Sequence, residues 1–145
     1  MVLKWTPEFV LGIEAMDFTH REFLNQLNAL GSIHDDKVME KFTALIAHTK
    51  EHFHRENEWM LGLDYARAPA HVDEHEKVLN VMSAVSAYME GGHYRMGRMV
   101  ARELAQWFRH HALTMDAELA KFLLRDVEGS LRNLKKGKRA PKQRK

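Results

Sequence analysis

Two pairs of residues between positions 52 and 75 have the spacing of metal ligands. His52 and Glu56 are four residues apart, and so are His71 and His75. On a helix four residues turn about 400°, so each pair projects from one face, one turn apart. An HxxxH pair is a frequent two-ligand arrangement in helical metal sites. Glu56 also falls among apolar residues at helical spacing, Phe42, Leu45, Ile46, Thr49, Phe53, Trp59 and Met60. A carboxylate buried on such a face without a partner costs on the order of several kcal/mol. It needs positive charge beside it, and a metal ion supplies that.

Composition narrows the chemistry. The 145 residues include ten histidines and no cysteine. Disulfides, thiolate zinc sites and iron–sulfur clusters are excluded, and a reducing compartment fits. The start has no apolar core of a signal peptide, and no run approaches the ~20 apolar residues of a membrane span. The expectation is a cytoplasmic protein of one domain. Net charge is +2, but residues 132–145 hold eight Lys or Arg and no acid. The first 131 residues therefore carry 14 basic against 20 acidic side chains, a net −6.

Hydrophobic periodicity supplies the elements that must position the ligands. Residues 1–17 read as an irregular arm whose Trp5, Phe9, Leu11 and Ile13 pack on the body. A first helix over about 18–31 carries Phe23, Leu27 and Leu30 on one stripe, with His20 one turn before them; Thr19 and Glu22 have the spacing of a capping box. A second helix covers about 37–62, with Asp35 and Asp36 supplying its cap. Pro69 suits the first turn of a third helix, which ends at Gly91-Gly92; Val78, Leu79, Met82, Val85 and Met89 line its stripe, extended backwards by His71 and His75. A fourth runs from about 94 to 128, with Val100, Leu104, Trp107, Phe108, Met115, Leu119 and Phe122 inward. His111 lies on that face. Asp116, five residues on, lies about 140° around an α-helix from it, so the two flank the stripe. Residues 1–131 then form an all-α, up-down-up-down antiparallel four-helix bundle with an N-terminal arm. Residues 132–145 read as a disordered, solubilising basic tail, with a weak anionic partner as the alternative; no specific nucleic-acid signature accompanies the charge.

Up-down topology brings the start of helices one and three to the same end as the close of helices two and four. His20, His52, Glu56, His71, His75, His111 and Asp116 converge there. Two six-coordinate metals offer about twelve ligand positions. Five imidazoles, two bridging carboxylates and one bridging oxo or hydroxo group fill all but one. A dimetal centre with one vacancy binds a small molecule, and imidazole with carboxylate suits iron. His34, His48, His54 and His93 read as surface histidines, and His110 points off the stripe.

At these positions the chain resembles the bacterial hemerythrins. The likeness rests on Trp5, Asp17-x-x-His20, His52-Phe53-x-x-Glu56 with Met60, His71-x-x-x-His75, and Trp107 before His111-x-x-x-x-Asp116, and spans about residues 5–125. It implies a non-heme di-iron centre, two iron ions with a bridging oxo or hydroxo group. It implies that His71, His75 and His111 bind one iron, His20 and His52 the other, and that Glu56 and Asp116 bridge them. It further implies reversible dioxygen binding for transport, storage or delivery, with Trp107 and Phe108 lining the oxygen pocket. The chain departs from the family pattern at Phe108, where a smaller aliphatic residue is frequent, and at Asn57, where an acid is. Two other functions share this architecture: an oxygen, iron or redox sensor acting through a partner, and a di-iron enzyme reducing peroxide or nitric oxide. No acid/base pair stands beside the ligand set in the sequence, which favours binding over catalysis.

Overall fold

The computed structural model describes residues 2–136. Its helices are α1 (Glu14–Gly31), α2 (Asp35–Gly62), α3 (Ala68–Glu90), α4 (Arg95–His111) and α5 (Ala117–Lys135). A π-helical turn, Ala112–Asp116, joins α4 to α5, so the two form one long fourth rod with a bulge in it. No strand occurs among the described residues. α1 packs on α2 and α4, and α3 packs on the same two, which closes the antiparallel four-helix bundle. No helix among the described residues is long and apolar enough to cross a membrane.

The core follows the predicted stripes. Phe23, Leu27 and Leu30 of α1, Phe42, Leu45 and Phe53 of α2, Met82 and Met89 of α3, and Leu104 and Phe108 of α4 are buried together. Close approach at the opposite end from the ligands depends on Gly97. A Cβ there would stand 2.6 Å from both Met89 Sδ and Val38 Cγ1. Asp35 and Asp36 are the first residues of α2 rather than its cap, a position His34 takes, and there they complement the positive end of the helix dipole. Asp35 also pairs with Arg98 at the start of α4. Pro69 lies in the first turn of α3, where its missing N–H costs nothing, and Gly92, at φ 97°, follows its end.

The arm packs on the body as expected. Phe9 is fully buried, with its ring 5.4 Å from Trp5 and 5.6 Å from Phe108. Three details differ from the periodic reading. α1 begins at Glu14 rather than near 18. Thr19 consequently lies inside the helix and donates to the Ala15 carbonyl, so no capping box forms. Asp17 instead accepts the backbone N–H groups of Leu11 and Gly12, clamping the arm where Gly12 takes φ 93°. The third difference is at the other end. The last helix continues to Lys135, past the expected stop near 128 and into the basic tail. Residues 137–145 of that tail lie outside the described residues.

Candidate metal centre

Each pair foreseen from spacing forms on its helix, and the bundle brings the pairs together. His20 comes from α1, His52 and Glu56 from α2, His71 and His75 from α3, and His111 from the end of α4. All seven side chains, Asp116 included, are buried. Glu56 is central. Its Oε2 lies 2.6 Å from His52 Nε2 and 3.6 Å from His20 Nε2. Its Oε1 lies 3.3 Å from His75 Nε2 and 3.4 Å from His71 Nε2. Asp116 divides in the same way, with Oδ1 3.1 Å from both His71 and His111 Nε2 and Oδ2 3.2 Å from His20 Nε2.

Asp116 does not flank the stripe. The 140° offset holds only for an unbroken α-helix. Here the Ala117 N–H bonds the Ala112 carbonyl, an i→i+5 turn that takes up one extra residue. His111 and Asp116 therefore both face inward.

The donor atoms sort themselves into two overlapping groups. Glu56, His71, His75, His111 and Asp116 each offer an atom within 4.8 Å of the others, and so do His20, His52, Glu56 and Asp116. The two carboxylates belong to both groups, one oxygen facing each way.

Hydrogen bonding on the outer side of the rings fixes which nitrogen faces in. His75 Nδ1 donates to Asn57 Oδ1 at 2.8 Å. His111 Nδ1 donates to Glu74 Oε1 at 2.9 Å, and the same oxygen accepts the Trp107 indole N–H at 2.9 Å. With Nδ1 protonated, Nε2 of a neutral ring carries a lone pair. The lone pairs of His75 and His111 thus point at carboxylate oxygens, acceptor toward acceptor. Nε2 of His71 and His111 also stand only 3.1 Å apart. Glu56 Oε1, both Asp116 oxygens, both His20 nitrogens and His75 Nε2 are buried without a hydrogen-bond partner. Acceptors that face one another in this way repel unless a proton or a metal cation lies between them. This donor set fits a resident pair of metal ions.

The electrostatics carry the same message. Burial disfavours charge on His20 and His71, but the Asp116 and Glu56 carboxylates outweigh it and push both rings up to about 9. At His75 burial prevails and its pKa falls. Burial favours the neutral acid at Glu56 and Asp116, as does Glu56's charge for Asp116, yet the surrounding imidazoles hold both well below the usual carboxylate range. Without metal, protons on imidazoles must balance the two carboxylates; metal ions would replace them.

Phe108 and Trp107 lie against different halves. The Phe108 ring is 5.1 Å from His20 and 5.2 Å from Phe23, so it walls the half with fewer ligands. Trp107 stacks on His111 at 4.5 Å, on the three-histidine half, and is half-buried. His34, His54, His93 and His110 are exposed, whereas His48 is half-buried and lies beside His52. Sequence reasoning passed over Glu74. Its only signal was position, three residues after His71 and so at the edge of the ligand face.

The chain is similar in sequence to proteins with such sites. The profile of the hemerythrin HHE cation binding domain matches residues 11–123. The Bacteriohemerythrin of Ralstonia nicotianae is 33% identical over 122 residues, covering 84% of this chain and 89% of that protein. The Hemerythrin subunit beta of Lingula anatina is 26% identical over 112 residues, 77% of this chain and 87% of that subunit. With most of its length matched, and its bundle closing around seven buried ligand-type side chains, the chain belongs to the hemerythrin family.

Proposed function

We propose that this protein binds dioxygen reversibly at a non-heme di-iron centre, as a carrier, store or buffer of oxygen. The observation that carries this is the sharing of Glu56 and Asp116 between two ligand groups, one with three imidazoles and one with two. Two bridging carboxylates over unequal histidine sets leave one half short of a ligand, and a small molecule fits that vacancy. When bound, two irons with a bridging oxo or hydroxo group supply an open position and the electrons for reversible oxygen binding.

The chain's residues set the terms. His71, His75 and His111 hold the fuller iron, with Asn57 and Glu74 orienting His75 and His111 from behind. His20 and His52 hold the open one. Phe108, Phe23 and the buried arm residue Phe9 form an aromatic wall beside His20. That wall keeps water and protons away on the His20 side, which favours release of oxygen unchanged over its reduction. We read the protein as a binder rather than an enzyme, because the buried acids and imidazoles of the cluster are all taken up as ligands.

Oxygen uptake by the anaerobically reduced, iron-loaded protein tests this directly. One dioxygen per two irons is expected. A His75→Ala variant that keeps two irons and full oxygen uptake would sink the ligand assignment.

A further inference from the structure

Two cavities reach the ligands from outside, and they differ in chemistry. One, of about 350 Å³, touches His71 between the 65–70 segment and Met115. Its charged groups, Arg67 and Glu118, are paired at 3.2 Å. The other, of about 120 Å³, lies between α1 and α2 and is lined, beside Phe18, by Thr19, Glu22, His48, Glu51, His52 and Arg55. It presents two carboxylates and an imidazole at its mouth and a ligand of the open half at its floor.

His52 links that cavity to the cluster. Its side chain is 6% exposed. Its Nε2 is committed to Glu56, while its Nδ1 is buried with no hydrogen-bond partner. His48 Nδ1 is likewise buried and unpartnered. The His48 and His52 rings stand 6.4 Å apart, and His48 Nε2 is 3.7 Å from Glu22 Oε1. Arg55 spans the wall, 3.5 Å from Glu51 and 3.4 Å from Thr19 Oγ1. Counting Arg55 against Glu22 and Glu51, the mouth is net negative when His48 is neutral. Carboxylates and imidazole at an outer mouth, and an orphaned imidazole nitrogen at the inner end, suit a divalent cation in transit.

We infer that this cavity is the loading port of the centre. A ferrous ion is drawn in by Glu22 and Glu51, held transiently by His48, and handed past His52 to the open half-site. The port rests on the metal-centre reading above, so its test separates rate of loading from final occupancy.

The test is stopped-flow uptake of Co(II) by metal-free protein, followed by the visible absorption of the bound ion. Cobalt stands in for ferrous iron because it does not oxidise during mixing. The Glu22 and Glu51 side chains are 46% and 76% exposed, so a Glu22→Gln, Glu51→Gln double variant keeps the fold. Its uptake is expected to be about tenfold slower and less dependent on salt, the signature of lost steering, with two Co(II) per chain at the end. His48→Ala is expected to slow uptake as well. Glu118→Gln, at the other cavity, should load at the unmodified rate. Unchanged rates in both port variants would overturn the port, as would equal slowing by Glu118→Gln. An unmodified chain that fails to take up two Co(II) contradicts the metal-centre reading itself, and the port with it.

Discussion

Glu74 is the sharpest lever on the centre that is not itself a ligand. One of its oxygens accepts both the His111 Nδ1–H and the Trp107 Nε1–H, each at 2.9 Å. The first bond fixes the His111 tautomer and leaves Nε2 free for a metal. Glu74→Ala removes the acceptor from a side chain that is only 1% exposed. Losing such an outer partner typically costs about 10–100-fold in metal affinity, or roughly 1.4–2.8 kcal/mol. Glu74 is itself 29% exposed, so water replaces part of the bond and the lower half of that range is expected. Glu74→Gln keeps an acceptor oxygen and should lose less. Trp107→Phe removes the indole donor and part of the ring stacked on His111, leaves the His111–Glu74 bond, and should keep metal affinity within a few-fold while costing about 1 kcal/mol or more of stability. Competition titrations of Co(II) against a chelator measure all three. Unmodified affinity in Glu74→Ala would refute the argument that the outer hydrogen bond sets the ligand.

Metal removal and pH give further expectations. Loading both sites at a thousandfold excess over Kd contributes about 4 kcal/mol per site. At roughly 2–4 °C per kcal/mol for a domain of this size, Tm should rise by about 15–30 °C on loading, read by calorimetry. In the metal-free protein the folded-state pKa values of His20 and His71 are raised from 6.5 to about 9. The stability they contribute is fully present below pH 6.5 and is lost as pH rises through about 9. The depressed acids Glu56 and Asp116 act oppositely, contributing above the usual carboxylate range and losing it as pH falls. Urea midpoints of metal-free protein should therefore drop between pH 6.5 and 9, a drop the metal-loaded protein does not share. Loading at pH 7 should release protons from His20 and His71, measurable with a pH indicator in weak buffer. Gly97→Ala should cost about 1–3 kcal/mol in urea unfolding, because the new methyl meets Val38 as well as the more yielding Met89.

Much of the centre was legible because two ligand pairs, His52 with Glu56 and His71 with His75, repeat the helical period on apolar stripes. His20, His52, Glu56, His71 and His75 all follow from counting by three or four along helices with clear apolar stripes. Asp116 did not follow in the same way. Counting assumes 3.6 residues per turn, and the π turn at Ala112–Asp116 leaves no mark in the hydrophobic pattern. Trp107 and Phe108 are consecutive on α4 and so point about 100° apart, but which neighbour each ring meets depends on how α4 seats between α1 and α3. Glu74 was hidden for a related reason. Its partners His111 and Trp107 sit on another helix, so its role exists only in three dimensions. The early start of α1 reflects Asp17, whose contact with the arm's N–H groups supports a turn that periodicity assigns to coil.

Reversible oxygen binding at a carboxylate-bridged iron pair is the proposed activity. An optical titration of iron-loaded protein, taken from anaerobic to aerobic and back, tests it most directly. Two irons per chain are expected, with a visible spectrum that appears with oxygen and disappears when oxygen is removed. Irreversible oxidation of the irons, with no spectrum that reverses on deoxygenation, would contradict it.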